Sequence, residues 1–166
     1  IDFFTDVYES IWKRDVANFK ELNINALRIY AVDPGGNHDG FLCALAEAGI
    51  YLMIDLTANC DGCHLRNATA PDCYPAELKV RGEYVISTFG KYSNLLAFSA
   101  GNEINYALGT GGDFAVCQKR FAQDMRRYIR NCDSLRKIPV GIVLADIDQA
   151  IFAQYYGCQH GTDDAL

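Results

Sequence analysis

Residues 50–56, Ile-Tyr-Leu-Met-Ile-Asp-Leu, are apolar almost throughout. A strand of that composition must be covered on both faces, as it is in a parallel sheet. The rest of the chain repeats the theme. Asn25–Val32 is strand-like and is ended by Asp33-Pro34-Gly35-Gly36. Asn94–Glu103 reads as a third strand and Ile138–Ala145 as a fourth. Between them the apolar spacing turns helical. From Asp6 to Leu22, the residues Tyr8, Ile11 or Trp12, Val16, Phe19 and Leu22 recur every three or four positions, with Thr5 or Asp6 as the cap. A short helix runs from about Gly40 to Ala48 and stops at Gly49. Ala76–Tyr92 is another. After a flexible Gly109–Gly112 turn, Asp113 caps a helix through Phe114, Cys117, Phe121, Met125, Tyr128 and Cys132, and Asp148–Tyr156 is the last.

Strict alternation of helix and strand means parallel strands joined by helical crossovers. No strand is followed by G-x-G-x-x-G or G-x-x-x-x-G-K, which weakens the case for a nucleotide-binding doubly wound sheet. The expected fold is α/β: a partial (β/α)8 TIM barrel of roughly four parallel strands with crossover helices, its first and last strands missing. The 166 residues start at Ile1 rather than Met, and 1–166 reads as an internal fragment of a single barrel domain.

Composition narrows the partners. Lys and Arg number 15 against 21 Asp and Glu, a formal charge of −6 with no basic run. Nucleic acid and anionic lipid surfaces are disfavoured as partners. No signal peptide, lipidation motif or membrane-length apolar span occurs. The seven cysteines are an odd number, so at least one lacks an intrachain disulfide partner. Together with the sequon Asn67-Ala68-Thr69, a candidate glycosylation site at Asn67, they point to an oxidising, extracytosolic compartment.

Three of those cysteines sit in a long loop, Thr57–Pro75. Loops of that length in compact domains are functional or stapled. Cys60-Asp61-Gly62-Cys63-His64 fits the C-x-x-C-H pattern of haem attachment, and Cys60, Cys63, His64 and Cys73 could make four zinc ligands. A barrel loop lacks the helical wrap that haem needs. Disulfides within the loop, Cys60 or Cys63 with Cys73, are favoured over a metal, and no cofactor is expected. Cys117 and Cys132 lie fifteen apart on one helix and cannot bridge each other. Each needs a partner elsewhere or remains a free buried thiol.

The strand ends carry the chemistry: Arg28 and Tyr30 on the first, Asp55 on the second, Asn102 and Glu103 on the third, Asp146 on the fourth. In a (β/α) barrel, catalytic groups occupy the C-terminal ends of strands. Arg28 and Tyr30 share a face, with the Arg deep and the Tyr nearer the mouth. A buried Arg there lowers and orients neighbouring carboxylates, or simply pairs with an acid inside the barrel and touches no substrate. Asn102 and Glu103 end an apolar strand, where both can turn toward the mouth. A Glu that protonates a glycosidic oxygen, beside an Asn bonded to a sugar hydroxyl, is a working pair for sugar chemistry.

Several stretches carry a family resemblance. They are Leu22-Asn23 through Arg28-Ile29-Tyr30-Ala31, Gly49-Ile50-Tyr51 with Ile54-Asp55-Leu56, Asn94-Leu95-Leu96-Ala97-Phe98 with Ala100-Gly101-Asn102-Glu103, and Arg136-Lys137-Ile138-Pro139-Val140-Gly141. In order and spacing the chain resembles the β-1,3-glucanosyltransferases of glycoside hydrolase family 72, remodellers of fungal-type cell walls. The resemblance implies that Glu103 is the general acid/base and that Asn102 reads the sugar. It implies an active-site role for Arg28, a donor-glucan contact for Tyr51 and a cleft acid at Glu77. It places the nucleophile, a second Glu, beyond Leu166. The implied partner is β-1,3-glucan, outside the cell or in the wall, with membrane contact only through a GPI anchor outside these residues.

Three departures from the family pattern stand out. Ile11 and Phe41 replace two cysteines that would pair, which leaves Cys43 as a buried thiol. Ile142-Val143-Leu144-Ala145-Asp146 replaces Tyr-Ser-Ala-Ala-Asp, so two polar groups near the acceptor side have become apolar. Cys158 matches a cysteine whose partner lies downstream. A catalytically weak glucan-binding relative, or a plain hydrolase of the same clan, are the alternatives to a transferase.

Overall fold

The computed structural model describes residues 1–65, 70–108, 112–146 and 156. The sequon, Cys158, residues 109–111 of the glycine turn and the expected Asp148–Tyr156 helix, apart from Tyr156 itself, lie outside them. A 3₁₀ turn at Asp6–Tyr8 leads into α1 (Glu9–Glu21). Then follow β1 (Ala26–Ile29), α2 (Asp39–Glu47), β2 (Tyr51–Asp55), α3 (Ala76–Phe89), β3 (Leu95–Asn102), α4 (Ile104–Leu108), α5 (Gly112–Asn131) and β4 (Val140–Val143). Every sequence-predicted helix and strand within the described residues is present, with ends within three residues of those expected. The short α4 was not expected. Gly49 ends α2 in the left-handed region, φ +71°, where a Cβ would be strained.

The four strands pair in the order β1-β2-β3-β4, all parallel. A doubly wound sheet reverses its strand order at a switch point. Here each strand lies beside the next in sequence, as in a (β/α) barrel, and the chain forms a fragment of one. Ile29, Leu52, Ile54, Phe98 and Val140 are buried and join a core with Leu42, Leu45, Leu78, Phe89 and Phe121 from α2, α3 and α5.

β2 is not covered on both faces as its composition suggested. Leu52 and Ile54 are fully buried, but Tyr51 on the other face is 52% exposed and Met53 only partly buried. That second face carries Arg28, Met53, Asp55 and Ser99 in register across β1 to β3. These are the positions a closed barrel turns inward.

The disulfides differ from expectation. Cys60 pairs with Cys63, and Cys73 with Cys117. Cys73 and Cys117 are both buried, with Cα atoms 4.8 Å apart, while a tight turn brings Cys60 and Cys63 to 5.1 Å; both separations suit a bridge. These bonds consume three of the four ligands of the zinc alternative and both cysteines of the haem pattern. Cys43 is exposed rather than buried, because α2 turns its neighbours Phe41, Leu42 and Leu45 inward and the next position points about 100° away. Phe41 is buried against Phe4 and Trp12, with ring centroids 5.1 and 5.9 Å away. Aromatic packing thus fills the place where the resemblance would have had a disulfide.

Candidate active site

β3 delivers Gly101-Asn102-Glu103 to the C-terminal edge of the sheet. Gly101 adopts φ +107°, and a Cβ there would lie 1.9 Å from Ile104 Cδ1. Only glycine lets the strand leave the sheet this tightly. Glu103 itself is left-handed, φ +50°. Its N–H donates to Val143 O (3.1 Å), and its carbonyl accepts from Tyr106 N–H (3.0 Å) to open α4. The ladder with β4 therefore continues one residue past β3 before the chain reverses.

Two buried amides hold this turn. Asn105 donates through Nδ2 to Ala145 O (3.2 Å) and accepts from Ala145 N–H at Oδ1 (2.8 Å). Gln118 of α5 donates to Ala100 O (2.9 Å) and accepts from the Tyr156 hydroxyl (2.7 Å). Asn105 had a readable signal, an Asn two residues beyond the Glu in an otherwise apolar turn. Gln118 had none, since it is one polar residue among many along α5.

Glu103 is solvent-exposed at a cleft of about 290 Å³. Tyr30 and Ala31 line it from the end of β1; Thr57, Ala58, Asn59, His64 and Leu65 from the loop after β2; and Asn102, Glu103 and Ile104 from the end of β3. Asn102 and Glu103, adjacent in sequence, thus both reach one cleft. Among the described residues Glu103 is the carboxylate that lines it.

Arg28 Nη1 donates to Asn102 Oδ1 (2.5 Å), and its Cζ lies 6.0 Å from the Tyr30 ring centroid. Arg28 is exposed rather than deeply buried, because β1 is an edge of the described sheet. Its hydrogen bond reaches the Asn102 amide rather than a carboxylate. This charge-assisted bond fixes the amide oxygen toward the guanidinium, so the Asn102 NH₂ is left as a donor for a ligand.

Asp55 forms the buried floor beside the cleft. Oδ1 accepts from Thr57 N–H and Thr57 Oγ1 (2.7 Å each), and Oδ2 accepts from Ser99 Oγ (3.0 Å). Burial pushes its carboxyl above the usual carboxylate range; the Thr57 and Ser99 hydrogen bonds and the Arg28 charge act in the opposite direction.

The remaining sequence candidates lie elsewhere. Tyr51 opens β2 at the N-terminal edge of the sheet, opposite Ala26. It is four residues, roughly 13 Å along the strand, from Asp55 and does not line the cleft, because the strand carries it to the wrong end. Glu77 is exposed in the first turn of α3, next to the loop at Gly62 rather than in the cleft. Asp146 is exposed just past β4, next to the Ala145 that Asn105 holds, at the same edge of the sheet as Glu103.

A family model described as glucanosyltransferase, of glycoside hydrolase family 72, matches residues 2–165. The chain belongs to this family. It is 41% identical over 157 residues to the 1,3-beta-glucanosyltransferase gel1 of Aspergillus fumigatus, covering 92% of this chain and 33% of that protein. It is 34% identical over 157 residues to the 1,3-beta-glucanosyltransferase GAS5 of Saccharomyces cerevisiae, covering 93% of this chain and 31% of that one. The structure of Saccharomyces cerevisiae Gas2p in complex with laminaritriose and laminaritetraose superposes with a TM-score of 0.73 at 30% identity, over 89% of this chain and 32% of Gas2p. The chain spans about a third of the length of these relatives.

Within this family 72 chain, Asp55 gives a pH-dependent prediction. Its carboxyl titrates higher in the folded protein than in the unfolded chain, where 3.8 applies. Its contribution to stability is therefore fully present below that value and is lost as pH rises through the folded one. Asp55→Asn cannot ionise and escapes this loss. The melting temperature of the variant relative to the parent should climb from about pH 4 upward. Thermal unfolding between pH 3 and 7 measures this, and a pH-independent difference would refute it.

Proposed function

We propose that the chain carries the acid/base half of a retaining β-1,3-glucanosyltransferase. The single observation that carries this reading is the joint placement of Glu103 and Arg28-oriented Asn102 on one cleft at the C-terminal edge of a parallel sheet. The relatives named 1,3-beta-glucanosyltransferase and the Gas2p complexes with laminari-oligosaccharides support it.

In this reading Glu103 donates its proton to the glycosidic oxygen as the bond to the reacting carbon breaks. A second carboxylate, supplied from beyond these residues, takes that carbon as a glycosyl ester and must stand about 5–5.5 Å from Glu103. Glu103, now ionised, removes the proton of an incoming glucan hydroxyl as that oxygen displaces the ester. The Asn102 NH₂ donates to the hydroxyl beside the reacting carbon, a contact that strengthens as charge develops there. A second hollow, of about 840 Å³, adjoins the cleft at Ala31, Ala58 and Asn59.

The setting we propose is extracellular, at the cell surface or in the wall, with Asn67 as a glycan acceptor. Asp146 remains a proposed sugar contact, while Tyr51 and Glu77, which lie away from the cleft, are set aside. A second reading, binding with weak or no transfer, is favoured by the apolar Ile142 and Val143 at the end of β4. Incubating protein made at the length of its relatives with laminaripentaose separates these. Transfer gives products both longer and shorter than the substrate, hydrolysis only shorter ones, and the weak relative binds with no product over long incubation.

A further inference from the structure

Residues 57–65 of the loop after β2 are pinned at several points. Thr57 hangs from the buried Asp55 by two hydrogen bonds, and Leu65 returns into the core at 1% exposure. Between them Cys60–Cys63 closes a four-residue ring, crossed by Cys63 N–H to Cys60 O (3.0 Å) and backed by Ala58 N–H to Cys63 O (2.8 Å). Gly62, at φ +73°, rests on the first turn of α3, where an added Cβ would sit 3.2 Å from Glu77 Cβ. A segment tied at this many points presents its side chains at fixed positions. Five of its residues, including His64, form a wall of the cleft that holds Asn102 and Glu103.

His64 directly follows the ring. An imidazole nitrogen can hydrogen-bond a sugar hydroxyl, as donor or as acceptor, and the flat ring can lie along the cleft wall. We propose that His64 is a sugar-contacting residue of this cleft and that the Cys60–Cys63 ring holds it there. The proposal rests on the glucan reading above and adds a residue from a different strand end than Glu103 and Asn102. The C-x-x-C-H pattern thus supplies the clasp and contact of a carbohydrate wall in place of a metal or haem site.

The test uses protein made at the length of its relatives and carrying Glu103→Gln, so that turnover plays no part, with laminaripentaose as the probe and calorimetry as the readout. His64→Ala should weaken binding about fivefold, the worth of one neutral hydrogen bond, with an unchanged melting temperature. His64→Gln, which keeps a donor and an acceptor, should recover part of the loss. The paired substitution Cys60→Ser with Cys63→Ser should weaken binding at least as much, because the contact loses its support. Binding by His64→Ala within twofold of the parent overturns the proposal. So does a loss that follows the melting temperature and that His64→Gln fails to restore. A Glu103→Gln parent that itself does not bind laminaripentaose overturns the glucan reading and this one with it, whichever residue stands at 64.

Discussion

Glu103→Gln, in protein made at the length of its relatives, should lower glucan elongation by about a hundredfold to ten-thousandfold, the range that a positioned proton donor contributes. The amide is nearly the same size as the carboxyl, and Gln tolerates the left-handed backbone about as well as Glu, so the fold and cleft remain. What disappears is the proton for the departing oxygen and the base for the acceptor. Laminaripentaose should still bind. An aryl laminari-oligosaccharide, whose leaving group needs little protonation, should lose far less in the first step than laminaripentaose does. Elongation that persists at near the parent rate would remove Glu103 from the mechanism.

Gly101→Ala should be the most damaging small substitution in the site. Its φ of +107° lies outside what an L side chain readily adopts, and the new methyl would sit 1.9 and 2.7 Å from Ile104 Cδ1 and Cγ1. Backbone strain and overpacking each cost about 1–3 kcal/mol, giving a loss of about 3 kcal/mol. Ile104 lines the cleft beside Glu103, so relief of the clash displaces the turn that carries Glu103, and activity should fall at least tenfold. Pairing the change with Ile104→Ala should recover part of the stability, a coupling read by thermal unfolding of the single and double variants. Additive losses would show that backbone strain alone is responsible.

The sequence exposed the architecture well because its evidence is local. An apolar run such as Ile50–Leu56 and the helical spacing of Phe121 and Met125 register on a few neighbouring residues. The destination of β3 was legible too, since Gly-Asn-Glu breaks an apolar strand. What stayed hidden depends on residues distant in sequence. The Cys73–Cys117 pairing requires knowing that α5 passes under the foot of the β2 loop. That Arg28 bonds the Asn102 amide requires the register of β1 against β3, two strands away. Tyr51 resembled a site residue through the motif around it, but its place at the start of β2 sends it to the far edge. Cys43 was misjudged by one helical position, which on a helix is the difference between core and solvent. His64 was noticed only as a metal ligand, because spacing shows which residues cluster and not what they line.

The Cys73–Cys117 bond joins residues 44 apart in sequence, and between them lie α3, β3 and α4. The stretch of chain that presents Glu103 is therefore a covalent macrocycle. Closing a ring of that size restricts the unfolded chain by about 4 kcal/mol in the chain-entropy model, and this restraint acts on the segment that bears the strained backbone at residues 101 and 103. A single protease cut anywhere along that segment would leave both pieces of the chain still attached to each other. The strand that must stay in register is the one that the molecule has closed on itself.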